Sequence, residues 1–143
     1  MQPLLGRVRH ILSWGECDPA GIIYYPTYYR WMDTATWTLV ASAGYRAARM
    51  RDEHFAMPLV NAQCEFVSSP TFGDECEVRS FVSRFGRSSF TVQHEVVMAE
   101  GERVLARGSE SRVWCRYESG PGSRLRAEPM PADLRSALGL AGA

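Results

Sequence analysis

One stretch, Thr27 to Ala43, runs without glycine or proline and is patterned as a helix, whereas everything from about Met57 to Tyr117 alternates with period 2. A chain with a single long helix and a run of strands must bury that helix against its own sheet. Thr27 is a plausible N-cap and Gly44 stands in the C′ position. The apolar residues Tyr28, Trp31, Met32, Ala35, Trp37 and Leu39 cover most of the helix circumference, and its only charges are Arg30 and Asp33. A largely buried central helix is expected.

Upstream, residues 7–14 read as a strand ending at Trp14, followed by the loop GECDPAGIIYYP. Downstream, breaks at SSPTFGDE, RFGR and AEGE cut the alternating region into four strands, the last spanning about 103–117. Cys76, Val78, Ser80 and Val82 share one face, as do Phe90, Val92, His94, Val96 and Met98. AEGE reads as a hairpin turn and residues 131–138 as a short helix with proline in its first turn. The economical architecture is α+β: one five-stranded antiparallel sheet wrapped around one long central helix, within a single domain spanning 1–143 whose last part, 118–143, is loop and short helix. Its exposed sheet edges and apolar helix lead us to expect self-association.

Composition removes several function classes. All 16 basic residues are arginine, so lysine Schiff-base chemistry, a phosphate-loop lysine and Ser/Lys nucleophile pairs are excluded. The 16 acidic residues balance them, which disfavours a nucleic-acid partner. Cys17, Cys64, Cys76 and Cys115 contain no C-x-x-C pair, and His10, His54 and His94 are far apart, so no metal site is expected. Without a signal-peptide pattern or a membrane-length apolar run, the expectation is a soluble cytoplasmic protein with no membrane partner.

Seven of the 16 aromatic residues fall between Trp14 and Trp37. Four of them are tyrosines, whose hydroxyls suit the wall of a partly wet pocket as well as they suit a core. Asp18 lies among them, beside Pro19, where a lone aspartate is most often a turn former. Cys17 is the other nucleophile at hand, but no neighbouring His or Arg in the sequence would activate its thiol.

The segment WGECDPAGIIYYPTYYRWMD resembles the signature of the 4-hydroxybenzoyl-CoA thioesterase family of hotdog-fold enzymes. Asp18-Pro19-Ala20-Gly21, the aliphatic pair Ile22-Ile23, Tyr24, Tyr25-Pro26 and Arg30-Trp31-Met32-Asp33 follow its pattern, with Glu16 standing where aspartate is commoner. A weaker match continues through MPLVNAQCEFVSSPTFGDE and RFGRSSF. The resemblance implies a hotdog fold and cofactor-free hydrolysis of an acyl-CoA thioester at a subunit interface, in a homodimer or homotetramer. Asp18 then matches the catalytic carboxylate, as nucleophile or as the base that activates water. Tyr25 matches the residue whose backbone N–H polarises the thioester carbonyl. Substrate-binding roles fall to Gly21, Tyr28, Asp33, Arg87 and Ser88. Gly21 allows either close approach of the acyl group or simply a turn. Asp33 either touches the acyl ring or pairs with Arg30. Arg87 matches a contact to CoA phosphates, with Ser88 where lysine is common and Arg84 as a substitute. An aromatic acyl group is favoured by the tyrosines and tryptophans. The alternatives are a medium-chain acyl-CoA or acyl-carrier thioesterase, or a hotdog protein that binds acyl-CoA without turnover. The related hydratases pair their aspartate with a nearby histidine, which DPAGIIYY lacks.

Overall fold

The computed structural model describes residues 5–139. Strand β1 (Gly6–Ile11) leads through a 3₁₀ turn (Trp14–Glu16) into helix α1 (Pro26–Ser42). A short helix α2 (Ala47–Asp52), β2 (Phe55–Ala56), β3 (Leu59–Phe66), β4 (Glu75–Phe85), β5 (Ser89–Met98) and β6 (Val104–Val113) follow. The chain closes with β7 (Cys115–Tyr117), β8 (Leu125–Ala127) and α3 (Ala132–Leu138). The main sheet is antiparallel and five-stranded, in the order β1-β4-β5-β6-β3, and it wraps around α1 as a hotdog fold.

The helix is capped two residues earlier than its sequence suggests, at Tyr25 and not at Thr27. Pro26 occupies the first helical position, where its fixed φ fits and its missing N–H costs nothing. Thr27 is instead inside the helix, donating its hydroxyl to the Glu16 carbonyl at 3.3 Å. The buried residues come in pairs one turn apart, from Thr27-Tyr28 and Trp31-Met32 to Ala35-Thr36 and Leu39-Val40. One face is therefore sealed, not most of the circumference, and Asp33, Thr34 and Thr38 look outward. The helix lies so close to β6 that a Cβ at Gly108 would collide with Met32 Sδ and the Gln63 carbonyl.

Period 2 reports burial but not where a strand changes sheet. The expected strand 103–117 breaks at Trp114, whose N–H donates to the Ser88 carbonyl at 2.7 Å. Beyond it β7 pairs with β2 and β8 in a separate three-stranded sheet. Likewise β1 ends at Ile11, because Leu12 turns inward and donates its N–H to the Asp74 carbonyl at 2.9 Å. The hairpin expected at AEGE is present, with Gly101 and Glu102 at φ of 80° and 54°.

Two apolar clusters divide the interior. One gathers Leu12, Ile23, Tyr28, Trp31, Val78 and Val96 beneath the Asp18 loop, and the other gathers Leu39, Tyr45, Met50, Phe55, Trp114 and Leu134 toward the far end of α1.

Candidate active site

The loop before α1 is built from turns nested inside one another. Glu16 accepts both the backbone N–H and the hydroxyl of Ser13 on Oε1, each at 2.9 Å, which closes the 3₁₀ turn. Asp18 Oδ1 then accepts the Ala20 N–H at 2.8 Å, while the Gly21 N–H returns to the Asp18 carbonyl at 2.9 Å. Gly21 has a φ of 81°, so the turn itself requires a glycine there. The far side of the loop is tied down by the Ile23 N–H on the Pro70 carbonyl at 3.1 Å. Asp18 is thus held half-buried with Oδ1 engaged, and Oδ2 has no partner among the described residues.

Seven residues further on, the Tyr25 N–H donates to no acceptor among the described residues, although Tyr25 caps a 17-residue helix. Its amide stands at the positive end of the helix dipole, a ready donor for a developing oxyanion. The tyrosines divide. Tyr28 is buried in the core, stacked on Phe66 at 5.7 Å, with its hydroxyl donating to the Ser68 carbonyl. Burial pushes its phenol above the ordinary range. Tyr24 and Tyr25 are exposed and form a rim with Phe66, while Trp14 meets Phe72 edge-on at 5.5 Å.

Arg30 pairs with Glu16 at 3.6 Å and not with Asp33, as the i−3 spacing had suggested. Asp33 meets Arg112 at 2.6 Å. Seven residues along the helix from Pro26, it stands about 10 Å from the helix start. Arg87 and Ser88 lie in the turn between β4 and β5, where Arg87 is exposed. The Asp18 loop bonds to the chain just before β4, through the bridge of Ile22 with Thr71 and the capping of Thr71 by Asp74. Since β4 is 11 residues long, Asp18 and Arg87 of one chain sit about 30 Å apart, at opposite ends of the strand. One protomer does not bring them together.

Two groups were not legible as neighbours in the sequence. His10 stacks on Trp31 at 4.5 Å, and burial lowers its pKa against the opposing pull of Glu16. Beneath α1, Ser80 Oγ lies 2.6 Å from His94 Nδ1 and His94 Nε2 lies 3.1 Å from Glu110 Oε1, with the Thr36 hydroxyl also on that oxygen. The order serine, histidine, carboxylate has the look of a nucleophile and its base, but these side chains are sealed in the core. They fasten α1 to the sheet. His94 is thus fully inside. The cysteines are free thiols, and burial pushes Cys64 up to about 11 and Cys76 up to about 12, so neither is a nucleophile at neutral pH.

Residues 12–138 match the family model of the thioesterase-like superfamily. The chain belongs to that superfamily. It is 30% identical over 128 residues to the 4-hydroxybenzoyl-CoA thioesterase of Pseudomonas sp. (strain CBS-3), a match covering 85% of this chain and 89% of that one. Among solved structures, a 4-hydroxybenzoyl CoA thioesterase mutant complexed with 4-hydroxybenzoyl CoA superposes with a TM-score of 0.85 at 26% identity, over 95% of this chain and 99% of the other. A gentisyl-coenzyme A thioesterase superposes with a TM-score of 0.79 at 29% identity, over 90% and 98%. Among the described residues no helix of this superfamily member is long and apolar enough to cross a membrane.

Proposed function

We propose that this thioester hydrolase acts on acyl-CoA esters with an aromatic acyl group, using Asp18 as the reacting carboxylate and the Tyr25 N–H as the oxyanion donor. The observation that carries the assignment is the presence of two groups on one loop. A carboxylate with a free Oδ2 and a backbone donor with no protein acceptor flank the start of a long helix. Acyl-CoA hydrolysis is the activity of the family, and this arrangement supplies what the reaction needs. The thioester carbon must be attacked while its oxygen gains charge, and the sulfur must leave as the CoA thiol. Oδ2 either attacks that carbon directly or takes the proton of a water that does.

The aromatic preference rests on the exposed rim of Trp14, Tyr24, Tyr25, Phe66 and Phe72. Rings of this kind stack on a flat acyl group for about 0.5 to 1.5 kcal/mol beyond area burial, which amounts to at most about a tenfold preference. The named activities of the relatives, on 4-hydroxybenzoyl and gentisyl esters, point the same way. The CoA end is assigned to Arg87 and Ser88 of a second protomer, because the length of β4, about 30 Å, lies between them and the Asp18 loop within one chain; the site is then shared in a homodimer or a tetramer of such pairs. Asp33 keeps a place at the acyl group as a polar edge, whereas Tyr28, sealed in the core with its hydroxyl on the Ser68 carbonyl, supports the site from beneath.

Release of free CoA thiol from a panel of esters tests the reading. Benzoyl- and phenylacetyl-type esters should exceed hexanoyl- and octanoyl-CoA in kcat/KM, by up to about tenfold. A tenfold advantage for the straight chains removes the aromatic assignment, and binding without thiol release removes the enzyme assignment.

A further inference from the structure

A cavity of about 410 Å³ opens between α1, α2 and the small sheet β2-β7-β8. Its wall is apolar, formed by Trp37, Met50, Phe55, Met57 and Leu125. Three residues with polar side chains line it: Arg51, His54 and Tyr117. None of the three has a side-chain partner among the described residues, although most other arginines here are paired. Among the described residues no carboxylate lines the cavity, and Arg51 is the one full charge there. Of the acidic neighbours in sequence, Glu53 is taken by Arg49 at 2.5 Å, and Asp52, adjacent on the helix, points to a different face from Arg51.

The wall is held in place by backbone. His54 adopts a φ of 62°, costly for a residue with a Cβ, and is fixed by the Tyr117 N–H on its carbonyl at 2.7 Å and by Arg116 Nη1 on the Glu53 carbonyl at 2.7 Å. Trp37 lies eleven residues beyond Pro26, about 16 Å along the helix axis from the Tyr25 amide, so this cavity and the Asp18 turn of the same chain are different places.

We propose that this cavity is a second binding site, for a small carboxylic acid with an apolar body. The volume lies at the small end of ligand pockets, the lining is that of an apolar site with few orienting groups, and the three unpartnered donors match one carboxylate. Arg51 supplies the charge-assisted contact, and His54 and Tyr117 supply the remaining hydrogen bonds. An acid of this class is also what thioester hydrolysis releases, but the assignment rests on the cavity alone and stands apart from the role given to Asp18.

Calorimetric titration of the purified protein tests it, with phenylacetate and octanoate as probes, 2-phenylethanol as the uncharged body and inorganic phosphate as the bodiless charge. The carboxylates should bind saturably, one per chain, and about tenfold more tightly than either control. Arg51→Gln, at an exposed position, should lower that affinity about tenfold, while Asp18→Asn leaves it unchanged. The Trp37 indole and His54 ring resonances should shift on binding. No saturation at millimolar concentration, equal affinity in Arg51→Gln, phosphate binding as tightly as phenylacetate, or loss of binding in Asp18→Asn would each overturn the proposal. The last result would place the acid at the thioester site instead.

Discussion

The Trp31 indole N–H donates to Glu16 Oε2 at 3.2 Å, one of the contacts that tie the loop carrying Asp18 to the first turns of α1. The other oxygen of the same carboxylate holds Ser13 from both its backbone and its hydroxyl, and Arg30 stands 3.6 Å away. Burial pushes this carboxyl up, but the Ser13, Trp31 and Arg30 contacts outweigh it and its pKa is lowered. Glu16 is a positioning residue: the Tyr24 N–H and the Thr27 hydroxyl both end on its carbonyl, so its placement sets the spacing between Asp18 and the Tyr25 amide.

Glu16→Gln keeps the size of the side chain and loses its charge and one acceptor oxygen. Turnover should fall about tenfold to a hundredfold with KM nearly unchanged, since misplacement by about 1 Å is enough to cost that much. Glu16→Asp, one methylene too short to reach Ser13 and Trp31 together, should not restore the rate. Equal rates for the three proteins would remove the positioning role.

Asp18→Asn should fold normally, because an amide oxygen can still accept the Ala20 N–H now found at 2.8 Å. What it lacks is a nucleophilic or basic Oδ2, so turnover should drop at least about a hundredfold. Single-turnover hydrolysis in oxygen-18 water then separates the two roles: label entering the Asp18 carboxyl marks direct attack. Wild-type turnover in the variant would withdraw the assignment.

What was legible in the sequence follows from local patterns. The Gly44 stop and the period-2 faces gave α1 and four strands nearly in place, because apolar spacing reports which side of an element is buried. The Asp18 turn was legible because Asp-Pro and Gly21 lie within four residues of each other. Partnerships across the fold were not. Ser80 and His94 could be put on inward faces, yet only the β4-β5 register sets them opposite one another. Glu110 and Arg112 lie on a strand whose inner face was left unassigned, and Arg112 reaches Asp33 across 79 positions of sequence. A short i−3 spacing to Arg30 was outweighed by that long-range pair. The break at Trp114 was invisible because alternation continues through it.

Glu110 gives the fold an acid-sensitive point. Burial alone would push its carboxyl up, but hydrogen bonds from His94 and Thr36 and the charge of Arg112 outweigh it, holding it at about 2. A folded-state pKa below the ordinary value of 4.5 means that ionised Glu110 stabilises the fold fully above pH 4.5. That contribution is lost as pH falls through about 2. Glu110→Gln should cost about 3 kcal/mol at neutral pH, since Arg112 then remains buried with Asp33 as its only charged partner. Denaturant unfolding at several pH values checks both points, and stability should fall less steeply between pH 4.5 and 2 in the variant. An unchanged slope would mean that Glu110 is already neutral in the native protein.

Arg87→Ala should raise KM for acyl-CoA more than it lowers kcat. A phosphate contact remote from the thioester is made equally in the ground and transition states, so its loss removes uniform binding. Arg87 is exposed, so its replacement leaves the core intact and kinetics is the readout. If both parameters stay the same, Arg84, three residues earlier near the end of β4 and also exposed, is the next candidate for the anion.

With the CoA contact assigned to Arg87 of a second protomer, activity is expected to require association, and β3 is the edge that offers it. As the terminal strand of the main sheet it has a free side, and Leu59, Val60, Phe66 and Val67 are all about half exposed or more. An uncovered edge of this kind invites strand pairing with another copy, and a two-fold operator would bring the same residues together from both chains. Sedimentation at micromolar concentration should find dimers or tetramers. Val60, 67% exposed, can be replaced by glutamate without disturbing the core of its own chain. Val60→Glu sets two like charges near each other at such an interface, so it should shift the protein toward monomer and reduce turnover in step with the monomer fraction. A Val60→Glu monomer with full activity would show that one chain holds a complete site, and would return the phosphate contact to residues nearer Asp18.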